Sequence, residues 1–76
     1  MKITIKTIDE LVKTSKQYGK QLEDSSLPFK NDVFSFDMLP YAGKTLTVSK
    51  ETEHGFLARH AGYYLFTHEM IKRVEA

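Results

Sequence analysis

Three histidines, His54, His60 and His68, stand close in sequence to Glu51, Glu53 and Glu69. Imidazole and carboxylate together are a donor set that zinc or manganese accepts. The spacing argues against a metal centre. No two of these histidines are four residues apart, as a shared helix face would require, and the chain has no cysteine to complete a finger-type ligand set. Ser35, Asp37 and His60 supply the residue types of a hydrolytic triad, yet no serine is framed by the Gly-x-Ser-x-Gly turn that exposes a nucleophile. A chain this short has little room for a water-excluding pocket of ~300 Å³ or more. Gly-x-Gly-x-x-Gly and Walker-type lysine loops are also absent. The sequence therefore reads as non-enzymatic, with no metal and no cofactor.

The remaining chemistry is that of binding. Tyr41, Phe56, Tyr63, Tyr64 and Phe66 interleave with Lys44, Lys50, Arg59, Lys72 and Arg73, and rings that stack bases beside cations that hold phosphates are the ingredients of a nucleic-acid surface. Two facts weigh against it. Strand alternation sends Tyr63 and Leu65 to one face and Tyr64 and Phe66 to the other, so one set fills a core. Eleven Lys and Arg against ten Asp and Glu leave a formal charge of +1, so there is no basic field over the whole molecule. Tyrosine and arginine serve equally as anchors of protein interfaces. The chain has no tryptophan, which excludes recognition of proline-rich peptides in the manner of true SH3 domains. Glu23, Asp24, Asp32 and Asp37 form an acidic set that either mimics phosphate spacing, to occupy a host nucleic-acid-binding cleft, or is simply the solvated face of a loop.

These residues must be positioned by few elements, because 76 residues make one domain, 1–76, and no more. Ile3 and Ile5 alternate with Lys2, Thr4 and Lys6 in the period of a half-buried strand. The period then becomes helical, with Ile8, Leu11, Val12, Ser15 and Tyr18 on one face, so a helix is expected over about 8–18. Thr7 and Glu10 fit a capping box at its start, and Gly19 suits its end. From about 20 to 32 the sequence is polar and broken by Ser25, Ser26 and Pro28, which predicts a long connection. Leu27 and Phe29 either pin that loop to the core or are displayed to a partner. Met38, Leu39 and Pro40 predict a single helical turn before Tyr41. A three-stranded meander follows over about 44–66, then a helical turn capped by Thr67, then a closing edge strand from Ile71 to Val74. The list describes an α+β, mainly β domain: a small SH3-like five-stranded barrel with one N-terminal helix inserted after strand 1. No apolar run reaches the ~18–20 residues of a membrane span, and the N-terminus lacks a signal peptide's apolar core, so a cytoplasmic protein with no membrane partner is expected.

Met38, Gly43-Lys44 followed by Val48, Tyr63-Tyr64, and the run Phe66-Thr67-His68-Glu69-Met70-Ile71 together cover about half the chain. In these motifs the sequence resembles small proteins encoded by bacteriophages and prophages, often of Gram-positive hosts, that look SH3-like. The chain departs from their commoner form by carrying the helix and long loop in front, where an individual function would sit. The resemblance implies a non-enzymatic phage accessory protein that binds a host or phage protein and modulates it, by inhibition, with a host enzyme or a defence nuclease as the type of target. A nucleic-acid-binding barrel and a structural homo-oligomer subunit are the competing readings. The expected partner surface is the loop with Leu27 and Phe29, together with Tyr41, Arg59, Tyr63 and Tyr64. Replacing Tyr64 with Ala is expected to abolish partner binding and leave thermal stability nearly unchanged.

Overall fold

The computed structural model describes residues 1–62 and 64–76. The first strand, β1 (Lys2–Ile5), lies between β4 (Thr45–Thr52) and β7 (Ile71–Glu75), pairing antiparallel with both. Although an antiparallel sheet can leave one face in water, β1 does not: Ile3, Thr4 and Ile5 are all buried. The alternation read from the sequence would leave Thr4 outside. Its hydroxyl is satisfied by the Thr45 hydroxyl at 2.9 Å, which makes its burial tolerable. β5 (Gly55–Ala58) and β6 (Leu65–Phe66) complete an antiparallel sheet in the order β6-β5-β4-β1-β7. The sheet is open, with β6 and β7 at its edges. Between β6 and β7 the chain makes the expected helical turn, a 3₁₀ turn over His68–Met70, but the hydroxyl of Thr67 at its N-cap makes no capping hydrogen bond.

Thr7 caps α1 (Ile8–Ser15) as its sequence predicts: its hydroxyl accepts from the Glu10 N–H, and the Glu10 carboxylate accepts from the Thr7 N–H. The helix is shorter than its periodicity suggests. Past Ser15 the N–H groups of Gln17 and Tyr18 donate to carbonyls three residues back, the tighter 3₁₀ pattern, and Gly19 at φ +144° turns the chain away. Leu11 and Ser15 are buried, whereas Ile8 and Tyr18, at the two ends of the predicted apolar face, remain exposed.

The segment 20–32 is not irregular throughout. β2 (Leu27–Pro28) pairs antiparallel with β3 (Val33–Phe34) in a two-stranded sheet of its own, with Leu27 opposite Phe34 and Pro28 opposite Val33. A six-residue 3₁₀ helix over Phe36–Tyr41 follows, about two turns where one was expected before Tyr41, and Pro40 lies inside it. In the meander, β4 and β5 join through Glu53 and His54. Ser49 is bulged between the pairs Val48–Ala58 and Lys50–Leu57, and its hydroxyl donates to the Leu57 carbonyl at 3.1 Å. Gly55 is required, since a Cβ there would run into the carbonyl oxygen of Phe66 on the neighbouring strand. The core lies where α1, the β2–β3 hairpin and the two 3₁₀ turns close over the sheet, around Ile3, Leu11, Phe34, Phe56, Phe66 and Met70. Among the described residues no helix is long and apolar enough to cross a membrane.

Candidate interaction site

β3 is two residues long, and the chain turns out of it into the 3₁₀ helix that begins at Phe36. Phe34 points inward and is fully buried, while Val33 before it and Phe36 after it are 42% and 57% exposed. Buried Ser26 ties this stretch to the preceding loop. Its hydroxyl accepts from the Phe36 N–H at 3.3 Å, its carbonyl accepts from the Leu22 N–H at 2.9 Å, and its own N–H donates to Asp24 Oδ1 at 3.0 Å. Leu22, 45% exposed, is thereby held in the same assembly as Phe36, with Glu23, Asp24 and Asp37 beside them in the chain. Ser25 adopts a left-handed φ of +69° to make the turn, a conformation a non-glycine residue holds only where its neighbours impose it. The Asp24 carboxyl is held below its ordinary value by hydrogen bonding from Ser26, the side chain first and the backbone N–H second.

At the other end of the hairpin, three turns meet in an open cleft of about 220 Å³. Asn31 and Asp32 come from the β2–β3 turn, Glu53 and His54 from the β4–β5 turn, and Thr67, His68 and Glu69 from the last 3₁₀ turn. His54 Nε2 lies 3.1 Å from Glu53 Oε1, and the His68 ring meets Phe56 edge-on at 5.6 Å. Burial first, and the Glu69 carboxylate second, push the Tyr18 hydroxyl above its ordinary value. Two of the three histidines weighed as ligands thus share a cleft, which their distance in sequence hid. His60 sits apart in the turn after β5 at φ +66°. Among the described residues no group of three or more His, Asp or Glu is placed to hold a metal ion, and no hydrogen bond joins Ser35, Asp37 and His60.

The residues expected to touch a partner divide. Leu27 and Phe29 are 2% and 6% exposed, so of the two roles weighed for them the structure has them pinning the loop to the core. Facing Phe34 across the hairpin, Leu27 has no free surface to offer. Tyr41 and Tyr64 are brought together, ring centroids 6.3 Å apart, with Tyr41 also edge-on to Phe66 at 5.9 Å. Both are half-buried and pack against the core. Tyr64 is therefore not the free surface ring that a stability-neutral substitution assumed. Arg59 is exposed in the turn after β5, its N–H bonded to the Thr47 carbonyl at 2.7 Å. Tyr63 lies outside the described residues. Sequence reasoning missed Leu22, Val33 and Phe36 as surface residues. Strict alternation would put Phe34 and Phe36, two residues apart, on the same face; Phe36 departs from it because β3 ends at Phe34 and Phe36 opens the 3₁₀ helix. No family model, curated protein or solved structure matches the chain.

Proposed function

We propose that this chain is a non-enzymatic accessory protein of the phage type that binds a host macromolecule, a host enzyme or a defence nuclease, and inhibits it. One observation carries the reading: Phe36 stands 57% exposed in a protein whose other four phenylalanines are at most 6% exposed. Burying a phenylalanine side chain is worth about 1.5–3 kcal/mol, so a folded domain that leaves one in water forgoes stability its small core could use. A protein partner that covers Phe36 recovers that energy at the interface, where aromatic anchors concentrate binding. Tyr41 and Tyr64, paired at 6.3 Å, form a second patch that such a partner can reach, and Arg59 is exposed on the turn after β5.

The architecture we propose for this role is SH3-like. It is supported by the strand order β6-β5-β4-β1-β7 and by the 3₁₀ turn between the last two strands. Insertion of α1 and the β2–β3 hairpin between β1 and β4 then places the variable part of the molecule in one long connection, where binding residues are carried on a rigid frame.

The reading is tested by affinity capture of the tagged full chain and of its Phe36→Ala variant from a Gram-positive bacterial lysate, with and without nuclease. The expected result is one stoichiometric protein that survives nuclease and is lost with Phe36→Ala. Recovery that disappears on nuclease treatment overturns it in favour of a nucleic-acid-binding barrel.

A further inference from the structure

The outward face of the β2–β3 hairpin and its flanks carries Leu22, Val33 and Phe36, all exposed. Around them stand Glu23, Asp24, Asp32 and Asp37. Residues 22–37 contain these four carboxylates and one cation, Lys30, a net charge of −3. The whole chain is +1, so the other 60 residues carry +4. Positive charge is the rule elsewhere on this molecule, and this face is the exception.

Resting on the protein-binding reading above, we infer that this apolar stripe docks on a lysine- and arginine-rich protein segment whose own apolar residues cover Phe36. Two features of this face select that occupant. Acidic groups beside an exposed aromatic repel the phosphates of nucleic acid and attract cationic side chains, so the charge identifies the class of partner as the apolar stripe identifies the mode of contact. The conformation is also built in advance. Ser26 is 2% exposed and fixes Leu22, Asp24 and Phe36 at once through its N–H, carbonyl and hydroxyl, and Ser25 is held left-handed to allow it. A preformed loop gives up little entropy on binding, so its contacts appear as affinity. A second copy of this chain is a poor occupant, because a two-fold contact through this face would set its −3 against itself.

The test is a titration of the ¹⁵N-labelled full chain, followed by amide chemical shifts, with three probes. These are a short amphipathic helical peptide of leucine and lysine, its leucine and glutamate counterpart, and a short DNA duplex. The leucine and lysine peptide is expected to bind about tenfold or more tighter than its acidic counterpart, to move amides within 22–24 and 33–37, and to weaken as salt is raised. Phe36→Ala is expected to weaken it by about tenfold or more. Glu23 and Asp37 make no hydrogen bond or ion pair among the described residues. The Glu23→Gln/Asp37→Asn variant should therefore fold as the parent does and lose the preference for the basic peptide. Equal binding of both peptides on the stripe overturns the charge assignment and leaves the protein-binding reading standing, as do shifts confined to Tyr41, Tyr64 and Arg59. Shifts with DNA alone overturn both. No shift with any probe overturns the assignment of this face.

Discussion

The outer face of β4 and the outer face of the β2–β3 hairpin are both exposed, and they are built from different residues. On β4 the exposed side chains are Thr45, Thr47, Ser49, Lys50 and Glu51, all polar or charged. On the hairpin and its flanks they are Leu22, Val33 and Phe36, which water does not. The inner faces do not differ in this way: Leu46 and Val48 on β4, and Leu27 and Phe34 on the hairpin, all pack on one core. The two regions therefore satisfy the same packing demand inward and different demands outward. A sheet that only has to fold needs polar residues on its free face. A hairpin that exposes apolar groups beside carboxylates is the surface on which the proposed partner would dock.

The sharpest way to break that contrast is to truncate one ring from each region. Phe66 on β6 is fully buried, and Phe66→Ala is expected to cost about 3–5 kcal/mol, enough to unfold much of a domain this small. Phe36→Ala is expected to change stability by less than about 0.5 kcal/mol, as exposed substitutions do. Urea denaturation followed by circular dichroism reads both. A comparable loss at Phe36 would place that ring in the core and end its candidacy as a binding residue.

Tyr64 falls between these extremes. It is half-buried, tilted against Tyr41 at 6.3 Å, and part of the layer that covers the core. Tyr64→Ala is expected to cost about 1–2 kcal/mol, part of the full-burial penalty plus the lost aromatic pair. A melting temperature within error of the parent would return Tyr64 to the purely surface role that its sequence position suggested, and would make the tyrosine patch the stronger rival to the hairpin face.

The sheet was largely legible because its signals are local and repeated. Ile3 and Ile5, Leu46 and Val48, and the Thr7 to Glu10 cap each state their element within a few residues, and β1, β4, β7 and α1 stand where those signals put them. The last 3₁₀ turn followed from Thr67 and the change of period after Phe66. The hairpin was illegible because two-residue strands are too short to show a period, and Ser25, Ser26 and Pro28 signal a break without saying what the chain does across it. The exposure of Phe36 was illegible for a related reason. Leu27, Phe29, Phe34 and Phe36 are alike as residue types, and what separates the last of them is the end of β3 at Phe34 and the start of the 3₁₀ helix at Phe36. The cleft that joins Asp32, Glu53 and His68 is nonlocal altogether, since its three turns are separated by whole strands.

The smallest expected effect concerns what holds the hairpin face in shape. Hydrogen bonding from Ser26 depresses the Asp24 carboxyl in the folded chain below the ordinary value of 3.8. A depressed carboxylate contributes stability that is fully present above its unfolded pKa and is lost as pH falls through its folded one. The loop should therefore keep its conformation from neutral pH down to the ordinary aspartate range and loosen only below it, with the Ser26 and Phe36 amides broadening together, since both N–H groups depend on that assembly. The Glu10 carboxyl is lowered in the same direction, by the Thr7 N–H first and the Thr7 hydroxyl second, so a global melting curve on the acid side mixes the two. Amide shifts separate them. Asp24→Asn should remove the acid transition at Ser26 and Phe36 while leaving the one at Thr7 and Glu10 in place. If both transitions survive, the loop is held by its packing through Leu27 alone, and the preformed face loses its polar hinge.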